Sequence, residues 1–372
     1  MSNQSYMARA LELAHRGRFT TSPNPNVGCV LVRDGDIVGE GYHLRAGEPH
    51  AEICALRMAG EKSRGSTAYI TLEPCSYYGR TPPCCNALID AGVRYAFIAM
   101  KDPNPQVAGR GLECLKKAGI KVSHGLMMSA SEALNRGFLK RMRSGFPWIQ
   151  LKLGSSVDGR IATSNGESQW ITSIEARRDV QRLRAQSSAI LSTSATVLAD
   201  NPSLTVRYDE LDLASQEIYP KGVLRQPIRI IIDSQNRITQ EHQLINQPGE
   251  TWLMRHMCDN TQWPDNVKQF NIPCHDGHID LVSMLVLLGR KEINSVLVEA
   301  GSQFSGALLK AKVVDELIIY LAPKLIGDTG RGLCQIPEIK TLDDVLVLDF
   351  SDIKLVGPDV RLTLKPSHII YT

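Results

Sequence analysis

The chain has 372 residues, 43% hydrophobic and 22% charged, which is the composition of an ordinary globular protein with room for two domains. A formal net charge of +3 gives no reason to expect nucleic acid or an anionic membrane as a partner, and no apolar run reaches the roughly 18 residues that a membrane span needs. The polar N-terminus predicts no signal peptide, and nine scattered cysteines predict a reducing compartment and a metal site, so we expect a cytoplasmic protein.

The first half of the chain alternates helical and extended patterns. In chain order we predict a helix over 6–16, strands over 27–32 and 37–42, a helix over 50–59, a strand over 67–72, a helix over 82–91, a strand over 94–100, a helix over 109–118 and a strand over 120–122. This alternation predicts a layered α/β domain, and such domains bind ligands at the carboxyl ends of their strands.

One histidine and two cysteines in this half are spaced like the ligands of a catalytic zinc ion. Pro49-His50-Ala51-Glu52 is followed by Glu73-Pro74-Cys75 and then by Cys84. An imidazole and two thiolates leave the fourth corner of the zinc tetrahedron open for water, whose pKa zinc lowers to roughly 7. Glu52 is placed to take a proton from that water and pass it on. The order H-x-E…P-C…C is the signature of zinc-dependent nucleobase deaminases, although eight residues separate the cysteines here.

A closed structural zinc site is the alternative interpretation of this motif. Cys85 would then supply the fourth ligand. Adjacent cysteines rarely both reach one metal, and a closed site would leave Glu52 without a role. We therefore favour the catalytic site.

Several stretches resemble the bifunctional riboflavin-biosynthesis deaminase–reductase family. They are residues 21–29 (TSPNPNVGC), 41–43 (GYH), 46–52 (AGEPHAE), 71–75 (TLEPC), 79–84 (GRTPPC), 102–105 (DPNP) and 107–111 (VAGRG). The stretch GRTPPC separates this family from tRNA adenosine and cytidine deaminases. The resemblance implies a cytidine-deaminase-like, three-layer α/β/α domain that hydrolytically deaminates 2,5-diamino-6-(5-phosphoribosylamino)pyrimidin-4-one.

The resemblance also implies roles for individual residues of this domain. His50, Cys75 and Cys84 are the implied zinc ligands, and Glu52 is the implied proton shuttle. Asn24 and His43 are implied to lie near the pyrimidine, although a turn cap for Asn24 and a packing role for His43 stay open. The family usually has a histidine shortly after the first cysteine, where this chain reads Ser76-Tyr77-Tyr78. We expect this difference to affect the substrate-facing loop and not the ligands.

The stretch over 135–147 is basic and contains glycine and proline, which predicts a short solvated connection. We therefore expect a domain over 1–146 and a second domain over 147–372.

The second half again interleaves strands and helices. We predict strands over 148–153, 189–191, 227–233 and 295–298, a helix from a capping box at 172–175 to about residue 185, and a C-terminal hairpin of 353–356 with 360–364. Residues 299–306 pass from a strand to a helix through small residues, and this arrangement is a possible phosphate cradle. Because it lacks the G-x-G-x-x-G pattern, the signal is weak on its own.

The resemblance to the same family continues through this half. Matching stretches include residues 158–162, 168–172, 183–185, 196–207 and 298–301. They imply a dihydrofolate-reductase-like α/β domain that uses NADPH to reduce the ribosyl group to ribityl. The implied cofactor contacts are Gly154, Trp170, Thr196, Asp200, Ser234, Gly301, Ser302, Gln303, Phe304, Ser305, Gly306 and Ala307. The implied substrate contacts are Ser168, Arg184, Leu204, Arg207 and Glu299.

Charged residues of this set have simple chemical interpretations. Arg184 and Arg207 suit a ribose phosphate, since planar guanidinium groups bind it through two hydrogen bonds, although Arg184 alone would read as a solvated helix residue. Lys152 and Glu299 are placed to assist proton transfer during hydride delivery. A structural ion pair is the alternative for Lys152.

The chain departs from the family at Ser192–Thr196, where V-G-x-G-T is usual. Glycine allows close backbone approach and positive φ, so Thr193 in its place predicts weaker or repositioned NADPH binding. An active deaminase joined to a degenerate reductase domain is the resulting alternative. A tRNA-binding deaminase is disfavoured by the near-neutral charge and the missing short C-x-x-C. The resemblance further implies a homo-oligomer, dimer or tetramer, through the second domain. Edge strands after Asp315 are a natural interface for it.

Overall fold

The computed structural model describes residues 2–77, 83–104 and 108–367. The chain divides into two compact units, Met1–Gly145 and Phe146–Thr372. No helix within the described ranges is long and apolar enough to cross a membrane.

The first unit is built on one mixed sheet with strand order β2-β1-β3-β4-β5. The strands are β1 (Gly28–Arg33), β2 (Asp36–Tyr42), β3 (Thr67–Ile70), β4 (Tyr95–Ile98) and β5 (Lys121–His124). The helices are α1 (Asn3–His15), α2 (Ala51–Ala59), α3 (Cys84–Asp90), α4 (Arg110–Lys117), α5 (Met128–Leu134) and α6 (Arg136–Ser144). β1 runs antiparallel to β2 and β3, whereas β3, β4 and β5 are parallel. The predicted elements are present, with ends that differ by a few residues.

Successive side chains of β1 enter two different cores. Cys29 and Leu31 pack with residues of α2, α3 and α4, whereas Val30 and Val32 pack with residues of α1. Because neighbouring residues of a strand point to opposite faces, helices cover both sides of the sheet. The predicted three-layer α/β/α architecture is confirmed.

The basic stretch over 135–147 is not the solvated connection that its composition predicted. Helix α6 occupies most of it, directly after α5. Phe138 and Leu139 are buried in a small apolar cluster, while Arg143 is exposed and pairs with Glu132 at 2.8 Å. The prediction was wrong because it rested on the cations of this stretch and overlooked an amphipathic helix. The apolar side of that helix is buried by tertiary packing.

The second unit is built on a nine-stranded sheet with order β11-β10-β9-β8-β14-β6-β15-β18-β17. Its strands are β6 (Trp148–Ser156), β8 (Ala189–Thr193), β9 (Ile228–Ile232), β10 (Thr251–Arg255), β11 (Val267–Asn271), β14 (Ser295–Val298), β15 (Glu316–Ala322), β17 (Leu348–Val356) and β18 (Asp359–Pro366). Two short pairs join β7 (Arg160–Ala162) to β16 (Arg331–Gly332) and β12 (Cys274–His275) to β13 (His278–Ile279). The helices are α7 (Ile174–Gln186), α8 (Ser194–Asp200), α9 (Leu213–Ile218), α10 (Leu281–Arg290) and α11 (Ser302–Lys310).

Helices cover both faces of this sheet as well. On β8, Ala189 and Leu191 pack with α10 and α11, whereas Ile190 packs with Val197 of α8. The strands from β11 to β15 are parallel, and the C-terminal hairpin of β17 and β18 is antiparallel. The predicted α/β class is confirmed for this unit too.

The start of α7 lies one residue later than the predicted capping box. Ser173 is the N-cap, and its hydroxyl accepts a hydrogen bond from the Ala176 amide at 3.2 Å. Thr172 therefore lies outside the helix. Both hydroxyl residues can cap a helix, and Glu175, three residues after Thr172, made Thr172 the better match to the capping-box pattern.

Candidate active sites

Three residues of the predicted zinc motif come from separate elements of the first unit. His50 directly precedes α2, Cys75 follows the end of β3, and Cys84 is the first residue of α3. A strand end and two helix N-termini therefore meet at one place. This is the arrangement that the alternation of strands and helices predicted.

Helix α2 reaches the sheet closely because β2 presents a glycine to it. A Cβ atom on Gly41 would lie 2.2 Å from the carbonyl oxygen of Ala51. No side chain fits in that space, so Gly41 allows the approach of α2. This contact sets the height of His50 and Glu52 above the sheet.

The donor atoms of the three residues converge. His50 Nδ1 lies 3.2 Å from Cys84 Sγ and 3.7 Å from Cys75 Sγ, and the three donor atoms lie within 4.8 Å of one another. One nitrogen and two sulfur donors form a set that suits zinc and leaves a position open. Cys85, the fourth ligand of the alternative interpretation, directs its Sγ to Asn86 Oδ1 at 3.5 Å instead.

Glu52 lies beside this group, on the first turn of α2. Its side chain is buried, with 3% exposure. Burial raises the pKa of Glu52 to about 7, an effect that the nearby His50 opposes. A carboxyl that titrates near neutrality can both accept and return a proton.

The electrostatics around Cys75 favour its thiolate. The hydrogen bond with the Cys84 side chain lowers the pKa of Cys75, and contacts with His50 and with the Cys84 backbone add to this effect. The Cys84 amide donates to Cys75 Sγ at 3.3 Å from the start of α3. A helix N-terminus favours negative charge, so the element that carries one ligand stabilises the other.

Asn24 and His43 lie next to this site. Asn24 Nδ2 lies 3.0 Å from His43 Nε2, and His43 Nδ1 lies 3.2 Å from the Pro49 carbonyl oxygen. The rings of His43 and His50 meet edge to face with centroids 5.2 Å apart. Burial lowers the pKa of His43, which favours the neutral ring. A role for both in holding the pyrimidine stays a prediction.

Part of the substrate-side motif lies outside the described residues. This holds for Tyr78 and for residues 79–82 of GRTPPC, and for residues 105–107 of the later stretches.

In the second unit, the predicted cofactor and substrate residues follow neighbouring parallel strands. β9, β8, β14 and β6 are adjacent in the sheet. Ser234 follows β9, Thr196 and Asp200 lie on α8 directly after β8, and Glu299 follows β14. Parallel strands end at the same edge of a sheet, so these residues belong to one edge. Helix α11 begins there, with Gly301 as its N-cap and with the predicted contacts Ser302, Gln303, Phe304, Ser305, Gly306 and Ala307 in its first two turns.

Arg184 and Glu299 form a bidentate ion pair at this edge. Arg184 Nε and Nη2 donate to the two carboxylate oxygens of Glu299 at 2.7 and 3.0 Å, and Nη1 donates to the Thr205 carbonyl oxygen at 2.9 Å. Burial alone would raise the pKa of Glu299, but Arg184 lowers it to about 2. Arg184 is therefore engaged with protein groups, and the solvated-helix alternative for it is wrong: the residue is 9% exposed.

Lys152 faces the same pair from β6. Burial lowers the pKa of Lys152; Glu299 opposes the shift and Arg184 adds to it. The Lys152 ammonium also lies near Gly154, where an added Cβ would be 3.9 Å from Nζ and 3.1 Å from the Thr172 methyl group. Lys152 is therefore close enough to Arg184 and Glu299 to interact with both electrostatically.

Other predicted residues have different surroundings. The Leu204 side chain is buried in an apolar core, so the predicted substrate contact of this residue would be made by its backbone. Arg207 pairs with Glu210 at 2.5 and 2.9 Å. Ser168 is half-buried in the loop before Trp170, which is 62% exposed. Ser234 donates to the Gly277 carbonyl oxygen at 3.2 Å.

The departure at Ser192–Thr196 carries no backbone strain. Thr193 has φ −121° and is the N-cap of α8, where its hydroxyl accepts the Thr196 amide at 3.3 Å. Thr193 therefore does not adopt the positive φ for which the family glycine would be needed. The predicted effect on NADPH affinity stays a prediction.

Sequence reasoning missed several contributors to the two sites. The guanidinium of Arg177 lies 4.5 Å from the centre of the Trp170 ring and donates to the Thr172 carbonyl oxygen at 2.9 Å. Glu73, which sequence reasoning gave no role of its own, is 4% exposed and lies two residues before Cys75. An acid at the end of an apolar strand, two residues before a ligand, was the available signal for Glu73. Nothing in the local pattern marked Arg177.

Comparisons with known proteins agree with this geometry. Residues 147–362 match the family described as RibD C-terminal domain, and residues 1–100 match the cytidine and deoxycytidylate deaminase zinc-binding region. The chain is 65% identical to riboflavin biosynthesis protein RibD of Escherichia coli, over 98% of this chain and 99% of that protein. The RibD relative from Haemophilus influenzae is 52% identical over 98% and 97%.

Solved structures give the same result. RibD of Acinetobacter baumannii superimposes with a TM-score of 0.90 at 40% identity, over 98% of this chain and 99% of that chain. A diaminohydroxyphosphoribosylaminopyrimidine deaminase/5-amino-6-(5-phosphoribosylamino)uracil reductase of Thermotoga maritima superimposes with a TM-score of 0.86 at 30% identity, over 98% of both chains.

Proposed function

This chain belongs to the RibD family of riboflavin biosynthesis proteins, and we propose which of its residues perform the deaminase and reductase reactions of that family. The protein is a bifunctional enzyme that uses zinc and NADPH. It hydrolyses the amino group of the diaminopyrimidine ribotide to ammonia and then reduces the ribosyl group to ribityl. We assign the first reaction to residues 1–146 and the second to residues 147–372.

The convergence of His50, Cys75 and Cys84 beside the buried Glu52 carries the deaminase assignment. These three residues hold zinc, which when bound polarises the attacking water. Glu52 accepts a proton from that water and delivers it to the departing amino group, so that water and the ring C–NH₂ become C=O and ammonia. Asn24 and His43 orient the pyrimidine beside Glu52.

Lys152 and Glu299 carry the reductase assignment. When bound, NADPH supplies the hydride. Reduction opens the ribosyl ring: C1′ would gain the hydride, the C1′–O4′ bond would break, and Lys152 would give a proton to the released ring oxygen, which becomes a hydroxyl. Glu299 keeps the Lys152 ammonium oriented. Arg184 fixes Glu299 through two hydrogen bonds, and Arg207 and Ser168 bind the phosphorylated substrate together with the Leu204 backbone.

The NADPH site lies at the edge where β9, β8, β14 and β6 end. We assign to it the predicted contacts Gly154, Trp170, Thr196, Asp200, Ser234 and the stretch 301–307. The N-terminus of α11 offers backbone N–H groups to a phosphate there.

Removal of zinc separates the two activities. We expect a chelator to abolish ammonia release from the diaminopyrimidine ribotide. NADPH oxidation with the deaminated intermediate should continue, because the group of candidate zinc ligands found among the described residues lies in the first unit. Both products are followed in one sample, and re-addition of zinc is the control. Absence of ammonia release from the zinc-loaded protein contradicts the deaminase assignment, and absence of NADPH oxidation favours a degenerate reductase.

The second unit has an apolar edge strand that suits a homo-oligomer. β17 is the last strand of the sheet, and Phe350, Ile353 and Leu355 on it are 63, 62 and 72% exposed. An exposed apolar edge strand is a template for pairing with another chain. We propose a second copy as its occupant, giving a dimer or a tetramer.

We expect light scattering to give at least twice the chain mass of 41.1 kDa. Ile353→Glu should lower that mass to one chain, because charge on the pairing strand opposes its burial. Leu213→Glu is the matched control, since Leu213 is 77% exposed on α9. A monomeric parent protein, or an unchanged mass in the Ile353 variant, contradicts this interface.

We also propose a cytoplasmic location and no nucleic-acid partner. None of the nine cysteines forms a disulfide, which is consistent with a reducing compartment.

A further inference from the structure

Glu73 is a buried acid for which the two reactions above provide no role. It stands two residues before Cys75 and is 4% exposed. Its carboxylate accepts hydrogen bonds from four backbone amides. Oε2 accepts those of Asp102 and Gly109 at 3.2 and 3.0 Å, and Oε1 accepts those of Gly111 and Leu112 at 2.9 and 3.3 Å.

Three of these amides belong to the beginning of α4. Gly109 is the N-cap of α4, and it makes no side-chain cap of its own. The first N–H groups of a helix have no partner within the helix and need an acceptor. Glu73 supplies that acceptor from a distant part of the chain, with a negative charge where the helix dipole favours one.

Gly111 brings α4 into direct contact with the chain that carries Cys75. A Cβ atom on Gly111 would lie 2.1 Å from the Pro74 carbonyl oxygen and 3.2 Å from Glu73 Cγ. Only glycine permits this approach. The backbone around Pro74 therefore rests on the first turn of α4.

Helix α4 also contacts the helix that carries Cys84. Cys114 Sγ of α4 lies 3.7 Å from Asn86 Oδ1 on α3, and Cys85 Sγ lies 3.5 Å from the same oxygen. One helix thus touches both segments that deliver thiolate ligands.

We propose that Glu73 is a positioning residue for deamination: by binding the first turn of α4 and the Asp102 amide, it fixes Cys75 relative to Cys84. Removal of the acceptor leaves four amide groups without their partner and releases α4 from Pro74. The sulfur atoms of Cys75 and Cys84 are then no longer held in the relative positions that suit one zinc ion. This inference rests on the proposed deaminase activity of the first unit.

The test compares Glu73→Gln with Glu113→Gln in the full chain. Glutamine keeps the shape of the side chain but turns an NH₂ group toward two amide donors. Glu113 is exposed on the first turn of the same helix, so Glu113→Gln removes the same charge without removing a buried acceptor. For Glu73→Gln we expect zinc affinity, from competition with a chelator, and kcat/KM per bound zinc for ammonia release to fall by about 10- to 100-fold. NADPH oxidation with the deaminated intermediate should not change in either variant.

A second measurement needs no variant. If the first turn of α4 stabilises the zinc ligands, then zinc binding must stabilise the first turn of α4 in return, because such coupling is reciprocal. Zinc binding to the parent protein should therefore slow hydrogen exchange at the Gly111 and Leu112 amides. Equal exchange with and without zinc overturns the proposal. So does a folded Glu73→Gln protein with unchanged zinc affinity and unchanged kcat/KM per zinc, even if its melting temperature falls. If the parent protein itself releases no ammonia, the proposed function fails instead.

Discussion

Replacement of Glu52 by glutamine is expected to slow ammonia release by about 100- to 10,000-fold while zinc stays bound. Glutamine fills nearly the same space in a site where the side chain is 3% exposed, but it can neither accept nor return a proton. The measurement is ammonia release from the diaminopyrimidine ribotide, with metal content determined on the same sample.

Two controls accompany this variant. Glu61→Gln removes an exposed carboxylate of the same unit and should keep full activity. NADPH oxidation with the deaminated intermediate should be unaffected by Glu52→Gln. If the variant releases ammonia at the parent rate with zinc bound, another group moves the proton and the assignment of Glu52 is wrong.

Replacement of Arg184 by glutamine has the largest expected effect on the second unit. It removes both hydrogen bonds to Glu299 and leaves a carboxylate whose side chain is only 15% exposed without its partner, a loss that costs up to about 3–5 kcal/mol in buried pairs. Glu299 then no longer orients Lys152, so NADPH oxidation should fall by about 100-fold or more. Arg182→Gln on the same helix is the matched control, because Arg182 pairs with Asp179 at 2.7 Å and neither residue is assigned to the proposed site.

Stability of the second unit can be followed by fluorescence. All four tryptophans of the chain, at 148, 170, 252 and 263, lie in this unit. We expect both arginine variants to lose stability and only the Arg184 variant to lose activity per folded molecule. Unchanged activity in Arg184→Gln contradicts the positioning of Glu299 by this residue.

The same pair predicts a dependence of stability on pH. Arg184 lowers the pKa of Glu299 to about 2, from an ordinary value of 4.5. A lowered pKa means that the stabilisation is complete above pH 4.5 and is lost as pH falls toward 2. The free energy of unfolding of the parent protein should therefore fall more steeply than that of Glu299→Gln across this window. Parallel curves for the two proteins would contradict the ion pair.

The sequence by itself determined the chemistry of the first site. His50, Glu52, Cys75 and Cys84 were identified from residue types and spacing, because a zinc site needs particular donor atoms and those are written in the side chains. The alternation of strands and helices likewise predicted both layered α/β units, since the periodicity of apolar residues reflects which face of each element is buried.

Elements whose stability depends on packing were less predictable. Helix α6 was interpreted as a solvated connection, because its two buried residues, Phe138 and Leu139, are too few to outweigh four cations in a local pattern. The cap of α7 was misplaced by one residue for a related reason. The local pattern favours Thr172 because Glu175 completes a capping box with it, but in the fold Ser173 caps the helix.

Only the tertiary structure decided the partners of the buried charges. Arg184 meets Glu299 across 115 positions of sequence, and Glu73 meets the amides of Gly109 and Gly111 across 36 and 38. No local pattern links such residues, because what joins them is the order of strands in a sheet and the close approach of one backbone to another. A buried charge must be paired or hydrogen-bonded, but the choice of partner is made by the fold.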